Sequence, residues 1–145
     1  PPRMTDPQLR DEHIGIAVEE LADARERFAK LFGLSPSPIE DVPAEGVRVS
    51  FFDLGGCRIE LLEGIGAESP VRRFLDKRHS GVHHVSIALE GGDIDAHFAE
   101  LSRRGVRVLG EGPAAGSEGS KVFFVHPGAA NGILFEFSQK KGERK

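Results

Sequence analysis

Four side chains stand out for what they could do together: His13, Glu60, His84 and Glu136. Each histidine opens an alternating run, His13-Ile14-Gly15-Ile16-Ala17-Val18 and His84-Val85-Ser86-Ile87-Ala88-Leu89. Each glutamate sits inside a later apolar run, 47 residues on from His13 and 52 on from His84. Imidazole nitrogen and carboxylate oxygen are donors that divalent cations take, so two of each make a ligand set with room for water or substrate. A lone His at a strand start, or a lone Glu within a strand, is ordinarily a solvated group. It is the recurrence of both types in register that lifts the set above that reading.

The elements that must position these groups repeat as well. In a strand successive side chains point to opposite faces. Ile14, Ile16 and Val18 therefore share one apolar face, as do Val85, Ile87 and Leu89. The histidines share the other face with small residues, which predicts a hollow with an imidazole at its edge. Ile59 and Leu61 turn Glu60 to the hollow side, and Ile133, Phe135 and Phe137 on the core side do the same for Glu136. Leu21, Ala24, Phe28, Leu31 and Phe32 have helical spacing and Gly33 suits a left-handed cap, so residues 20–32 are expected as a helix on the apolar face. Val47 to Leu54 and Cys57 to Leu62 are expected as a hairpin turning at Gly55-Gly56. Ser69-Pro70 signals the start of a connector helix over 69–80.

The second half repeats this order. It has a strand over 84–89, a helix over 94–104 stopped by Gly105, a strand over 106–109, a glycine-rich loop, and a hairpin of Val122–His126 with Gly132–Phe137. The whole predicts an α+β fold of two tandem β-α-β-β-β modules forming a curved, cleft-bearing sheet, a single domain over 1–145 with repeats 12–66 and 82–139. Residues 1–11 are expected as a loose leader and Lys140, Lys141, Arg144 and Lys145 as a frayed tail. His83 is assigned to packing or support of the metal ligands and His79 and His97 to the surface. His126, before Pro127, either orients substrate or caps a turn.

A net charge of -4 and a pI near 5.9 argue against a nucleic-acid partner. No apolar run approaches the ~20 residues that span a bilayer. The single cysteine, Cys57, leaves no internal disulfide and fits a reducing compartment, so a cytoplasmic location is expected. The first residue is Pro1, so an organellar targeting segment already removed remains compatible with the sequence.

The chain resembles the methylmalonyl-CoA epimerase family of the vicinal oxygen chelate superfamily, from about Glu12 to Gln139. The resemblance rests on His13-Ile14-Gly15-Ile16-Ala17-Val18, on Ile59-Glu60-Leu61-Leu62-Glu63, and on Ser69-Pro70-Val71 with Phe74-Leu75-Asp76-Lys77-Arg78. Gly81-Val82-His83-His84, Gly116-x-x-Gly119, Phe124-x-His126-Pro127 and Gly132-Ile133-Leu134-x-Glu136 complete it. It implies the glyoxalase-type fold and a homodimer. It also implies a divalent ion held by His13, Glu60, His84 and Glu136, Co2+ first, with Mn2+, Ni2+ or Zn2+ as substitutes; position 60 is Gln in some members. The implied activity is interconversion of (R)- and (S)-methylmalonyl-CoA.

Proton removal from C2 of a malonyl thioester makes an enolate whose charge a cation stabilises, and epimerisation returns the proton to the other face. Glu136 is the expected acid/base residue on one side. Some members carry a second glutamate where this chain has Val49; Glu63, His126 or a metal-bound water are the substitutes considered. Gly128 stands where the family often has Lys. Arg72, Arg73, Lys77 and Arg78, or Lys121, are the expected contacts for the CoA phosphates, against the ordinary reading of solvated charges. Two rival readings remain: a glyoxalase I-type isomerase acting on a glutathione hemithioacetal, and a non-enzymatic small-molecule binding module of the same fold.

Overall fold

The structure is a computed structural model that describes residues 8–141. Elements follow in the order β1 (Gln8–Ala17), α1 (Leu21–Phe32), β2 (Glu40–Val42), β3 (Val47–Asp53), β4 (Arg58–Gly64), α2 (Pro70–Lys77), β5 (Gly81–Gly91), α3 (Ile94–Arg103), β6 (Ala114–Ala115), β7 (Lys121–Val125) and β8 (Phe135–Gln139). The pattern β-α-β-β-β therefore occurs twice, with α2 between. The described residues form two compact units, one of Glu12–Val85 and one of 8–11 with 86–141. Among the described residues, no helix is long and apolar enough to cross a membrane.

In the Glu12–Val85 unit the strands run in the order β2-β3-β4-β1, β1 being parallel to β4 and β3 antiparallel to it. Helix α1 ends as expected, with Gly33 in the left-handed region and its N–H donated to the Ala29 carbonyl. Leu21 and Ala24 of α1 pack on Val18, Phe52 and Leu61, with Ile16, Phe28, Phe32 and Ile59 around them. Burying side chains such as Leu21 and Phe52 supplies roughly 1.5–3 kcal/mol each. This is the apolar face the alternation predicts.

The other face differs from expectation. Ala17 packs with Val42, Val47, Val49, Phe51, Leu62 and Val71 in a second buried cluster, with Phe74 and Leu75 of α2 against it. The histidine-bearing side of β1 is thus a core in its own right, because α2 and β3 supply apolar side chains to it. Three further expectations are corrected here. Gln8–Asp11 extend β1, while residues 1–7 of the expected leader and 142–145 of the expected tail lie outside the described residues. The connector helix ends at Lys77. Ser69 gives α2 no side-chain cap; its buried hydroxyl instead faces Gly64, where a Cβ would come within 2.7 Å of it.

In the other unit β5 lies beside β8, followed by β7 and β6. Leu89, Ile94, Phe123 and Val125 form its core, with Phe98, Leu101, Val106, Val108 and Phe137 packed on them. The expected strand over 106–109 is reduced to a single bridge, Val108 to Val125, and the short β6 pairs with β7 instead. Ile133 lies outside β8 and is 49% exposed, so the core side of that strand begins at Phe135.

His97, expected at the surface, is half-buried on α3, its ring 4.7 Å edge-on from that of Phe137 and 6.1 Å from Phe123, with Nε2 buried and unbonded. The 3.6-residue period turns it inward beside Phe98. Burial, and then the charge of Arg104, lower its pKa from the ordinary imidazole value. Its neutral form therefore favours the folded state. This contribution is whole above about pH 6.5 and is lost as pH falls below that value, where the unfolded chain takes up the proton first. Melting temperatures of wild type and His97→Phe between pH 7 and 5 are expected to show a flatter acid slope in the variant; equal slopes would remove His97 from the account.

Candidate metal centre

Three of the four expected ligands meet in the Glu12–Val85 unit. Parallel pairing of β1 with β4 sets Gly15 beside Glu60 and His13 beside Arg58. The antiparallel partner of Glu60 on β3 is Phe51. His84, from the start of β5, lays its ring over Gly15, where an added Cβ would lie 2.3 Å from Cε1, 2.6 Å from Nδ1 and 2.7 Å from Nε2. Because residue 15 has no side chain, the ring crosses the backbone of β1 and reaches Glu60.

The result is a nearly equilateral triangle of donor atoms. His13 Nε2 is 3.1 Å from His84 Nε2, and Glu60 Oε1 is 3.2 Å from each. All three residues are buried, at 5%, 3% and 4% exposure for His13, His84 and Glu60. Although it is this close to two ring nitrogens, Glu60 Oε1 makes no hydrogen bond of acceptable geometry. The two ring nitrogens bond to each other, and the carboxylate oxygen stands beside both without a bond of its own. Ligand bonds of ~2.1 Å put donors about 3.0 Å apart at right angles and about 3.4 Å apart in a tetrahedron, and the observed edges fall between. Two imidazoles and a carboxylate suit Co2+, Mn2+, Ni2+ or Zn2+ alike. The residues present therefore fit a divalent cation, and His13, Glu60 and His84 form a group that could hold one.

The surroundings set the charge states. Burial pushes the Glu60 carboxyl upward, but the adjacent His13 and His84 outweigh it and hold its pKa down to about 2. The Glu12 carboxylate, 2.7 Å from His13 Nδ1 and 2.8 Å from Arg58, is likewise raised by burial and then pulled down by those partners to about 2. His83 Nδ1 lies 3.0 Å from His84 Nδ1, and its ring stands edge-on to Phe74. Burial, then the neighbouring His84, lowers its pKa to about 4, with Glu60 opposing. His83 is thus packed on Phe74 and bonded to His84.

The remaining expected groups are placed as follows. Glu136 is 4% exposed on β8, opposite Phe124 of β7, in the other unit. Val49 is buried in the apolar cluster and offers no base. Glu63 Oε1 accepts the Leu21 N–H at the start of α1, and His126 Nδ1 accepts the Gly128 N–H, which is the turn-capping alternative. Arg73 pairs with Glu68, Arg78 lies over the Phe74 ring, and Lys121 pairs with Asp95. Arg72 lines a cavity of about 260 Å³ with Glu19, Glu20, Glu63 and Asp76, acidic company for a phosphate. His79 is exposed. Sequence reasoning missed Glu12 and Arg58, although both flank ligands in the sequence or in the strand register.

The chain belongs to the Glyoxalase/Bleomycin resistance protein/Dioxygenase superfamily, whose profile matches residues 12–124. Its fold is accordingly the glyoxalase type, α+β. It is 39% identical over 132 residues to the ethylmalonyl-CoA/methylmalonyl-CoA epimerase of Cereibacter sphaeroides, covering 90% of this chain and 97% of that protein. The solved methylmalonyl-CoA epimerase of Mycobacterium tuberculosis is similar with a TM-score of 0.85 at 29% identity, over 92% of this chain and 89% of the other. A variant of the Streptomyces coelicolor methylmalonyl-CoA epimerase in complex with 2-nitronate-propionyl-CoA is similar with a TM-score of 0.83 at 32% identity, over 92% and 95%.

Proposed function

We propose that this chain is a metal-dependent epimerase of methylmalonyl-CoA. The observation that carries the reading is the buried Glu60 oxygen, left without an aligned hydrogen bond 3.2 Å from the Nε2 atoms of both His13 and His84. The similarity to epimerases of CoA thioesters supplies the substrate class. His13, Glu60 and His84 hold the cation, with Glu136 as the fourth ligand carried over from the family resemblance. A divalent cation bound there supplies Lewis acidity, which lowers the cost of negative charge on an enolate oxygen.

The chain's own groups do the rest. Glu136, as general base, takes the C2 proton on a carboxylate oxygen. A second group returns a proton to the opposite face. Of the groups considered for it, Glu63 accepts the Leu21 N–H of α1 through Oε1 and His126 caps a turn through Nδ1. The low exposure of His13, His84 and Glu60 keeps bulk water from screening the developing charge. The homodimer, the cytoplasmic setting and a single domain built from two repeats complete the proposal; the first two rest on the resemblance and on cysteine usage.

The test is exchange of the C2 proton of methylmalonyl-CoA for solvent deuterium, followed by mass spectrometry or NMR. Exchange is expected with the metal-loaded protein and is expected to stop on chelation and to return with Co2+. Turnover of a methylglyoxal–glutathione adduct without this exchange would transfer the site to the glyoxalase reading.

A further inference from the structure

Both ligand imidazoles are held from behind, and by different means. The His13 Nδ1 faces Glu12 Oε2 at 2.7 Å. An ionised carboxylate only accepts, so Nδ1 carries the proton and Nε2 presents its lone pair to the donor triangle. Glu12 is fixed in turn by Arg58 Nη2 at 2.8 Å. The Arg58 guanidinium lies 3.9 Å over the Phe51 ring, and Phe51 stands edge-on to the His13 ring at 5.5 Å. One arginine thus locks the carboxylate behind the ring and the aromatic wall beside it. The register pairing His13 with Arg58 makes this geometry a property of the sheet rather than of a mobile loop.

We infer that Glu12 and Arg58 form a positioning couple for the metal site, with the carboxylate setting the tautomer and tilt of His13 and the guanidinium holding the carboxylate. The inference rests on the metal reading of His13, Glu60 and His84. An ion pair kept only for stability would not need to point at a ligand's second nitrogen. Supporting carboxylates of this kind raise the basicity of a ligand imidazole and fix its orientation, and losing one costs about 10- to 100-fold in metal affinity.

Calorimetric titration of the metal-free protein with Co2+, the visible absorption of the Co2+ complex, and the melting temperature of the metal-free form together test this. Wild type is expected to bind one Co2+. Failure of wild type to bind Co2+, Mn2+, Ni2+ or Zn2+ overturns the metal reading, and the inference falls with it. Given binding, Glu12→Leu is expected to weaken Co2+ affinity about 10- to 100-fold and to alter the absorption bands. Glu12→Gln is expected to recover most of the loss, because its amide oxygen still accepts from Nδ1. Glu12→Leu leaves a half-buried guanidinium without this carboxylate and can fail to fold, so the double variant Glu12→Leu/Arg58→Met, free of both charges, accompanies it. That variant is expected to fold and still to bind Co2+ weakly. Wild-type affinity and spectrum in the double variant, or in Glu12→Leu, would overturn the couple while leaving the metal site standing. So would affinity losses that merely follow the melting temperature across the series.

Discussion

His84→Ala is expected to cost the protein both its metal and its activity. Apparent metal-binding energies of ~10–16 kcal/mol shared over four ligands assign roughly 3 kcal/mol to each, so one missing imidazole weakens Co2+ binding on the order of 100- to 1,000-fold. Of the triangle, only the edge from His13 Nε2 to Glu60 Oε1, 3.2 Å long, would remain beside the proposed Glu136. C2 exchange should fall in step with bound metal and recover in part at high Co2+. Metal analysis of the purified variant by mass spectrometry, beside the deuterium exchange rate, checks this. If both quantities match wild type, His84 is not a ligand and the donor triangle is a coincidence of packing. If metal falls but a small molecule still binds with unchanged affinity, the non-catalytic binding module becomes the better reading.

Gly15→Ala is expected to do nearly as much damage without removing any donor. The new methyl would stand 2.3 Å from Cε1 of His84, so the ring must retreat by about 1 Å to reach ordinary contact. That movement breaks the 3.1 Å approach to His13 Nε2 and the 3.0 Å contact with His83 together. A misplacement of this size costs about 10²-fold in a positioned site. Gly15 does not adopt a positive φ, so alanine suits the strand backbone and the fold should persist. The two substitutions act on one interaction, so the double variant Gly15→Ala/His84→Ala should bind Co2+ no worse than His84→Ala alone. Additive losses would show that Gly15 matters for some reason other than the ring it carries.

The matched opening strands were legible because alternation is a strong signal and occurs twice. His13 and His84 could be aligned with each other, and Glu60 with Glu136, by counting alone. The couple behind His13 was not legible in that way. Glu12 adjoins a ligand in sequence, but its claim depends on Arg58, which arrives only through the parallel register of β1 with β4. Alternation sets His83 apart from the proposed donor set, yet its bond to His84 Nδ1 depends on side-chain rotation that no spacing encodes. The hollow face was misjudged because α2 and β3 cover it with Val71, Val47 and Val49, and tertiary packing decides whether a run of small residues faces space or neighbours. The 106–109 segment was misjudged for a related reason. Its apolar residues join the core as a single bridge beside β7, and burial without a ladder satisfies the same pattern.

By itself, the sequence determined the repeated unit, the four residue types offered for coordination, and the absence of any side chain at position 15, because periodicity and composition are local properties of the chain. The tertiary structure decided that His13, Glu60 and His84 bring their donor atoms together, and that Glu12, Arg58 and His83 stand behind them. Convergence to within about 3 Å requires strand register and ring orientation together, and both are set by contacts between residues far apart in the chain.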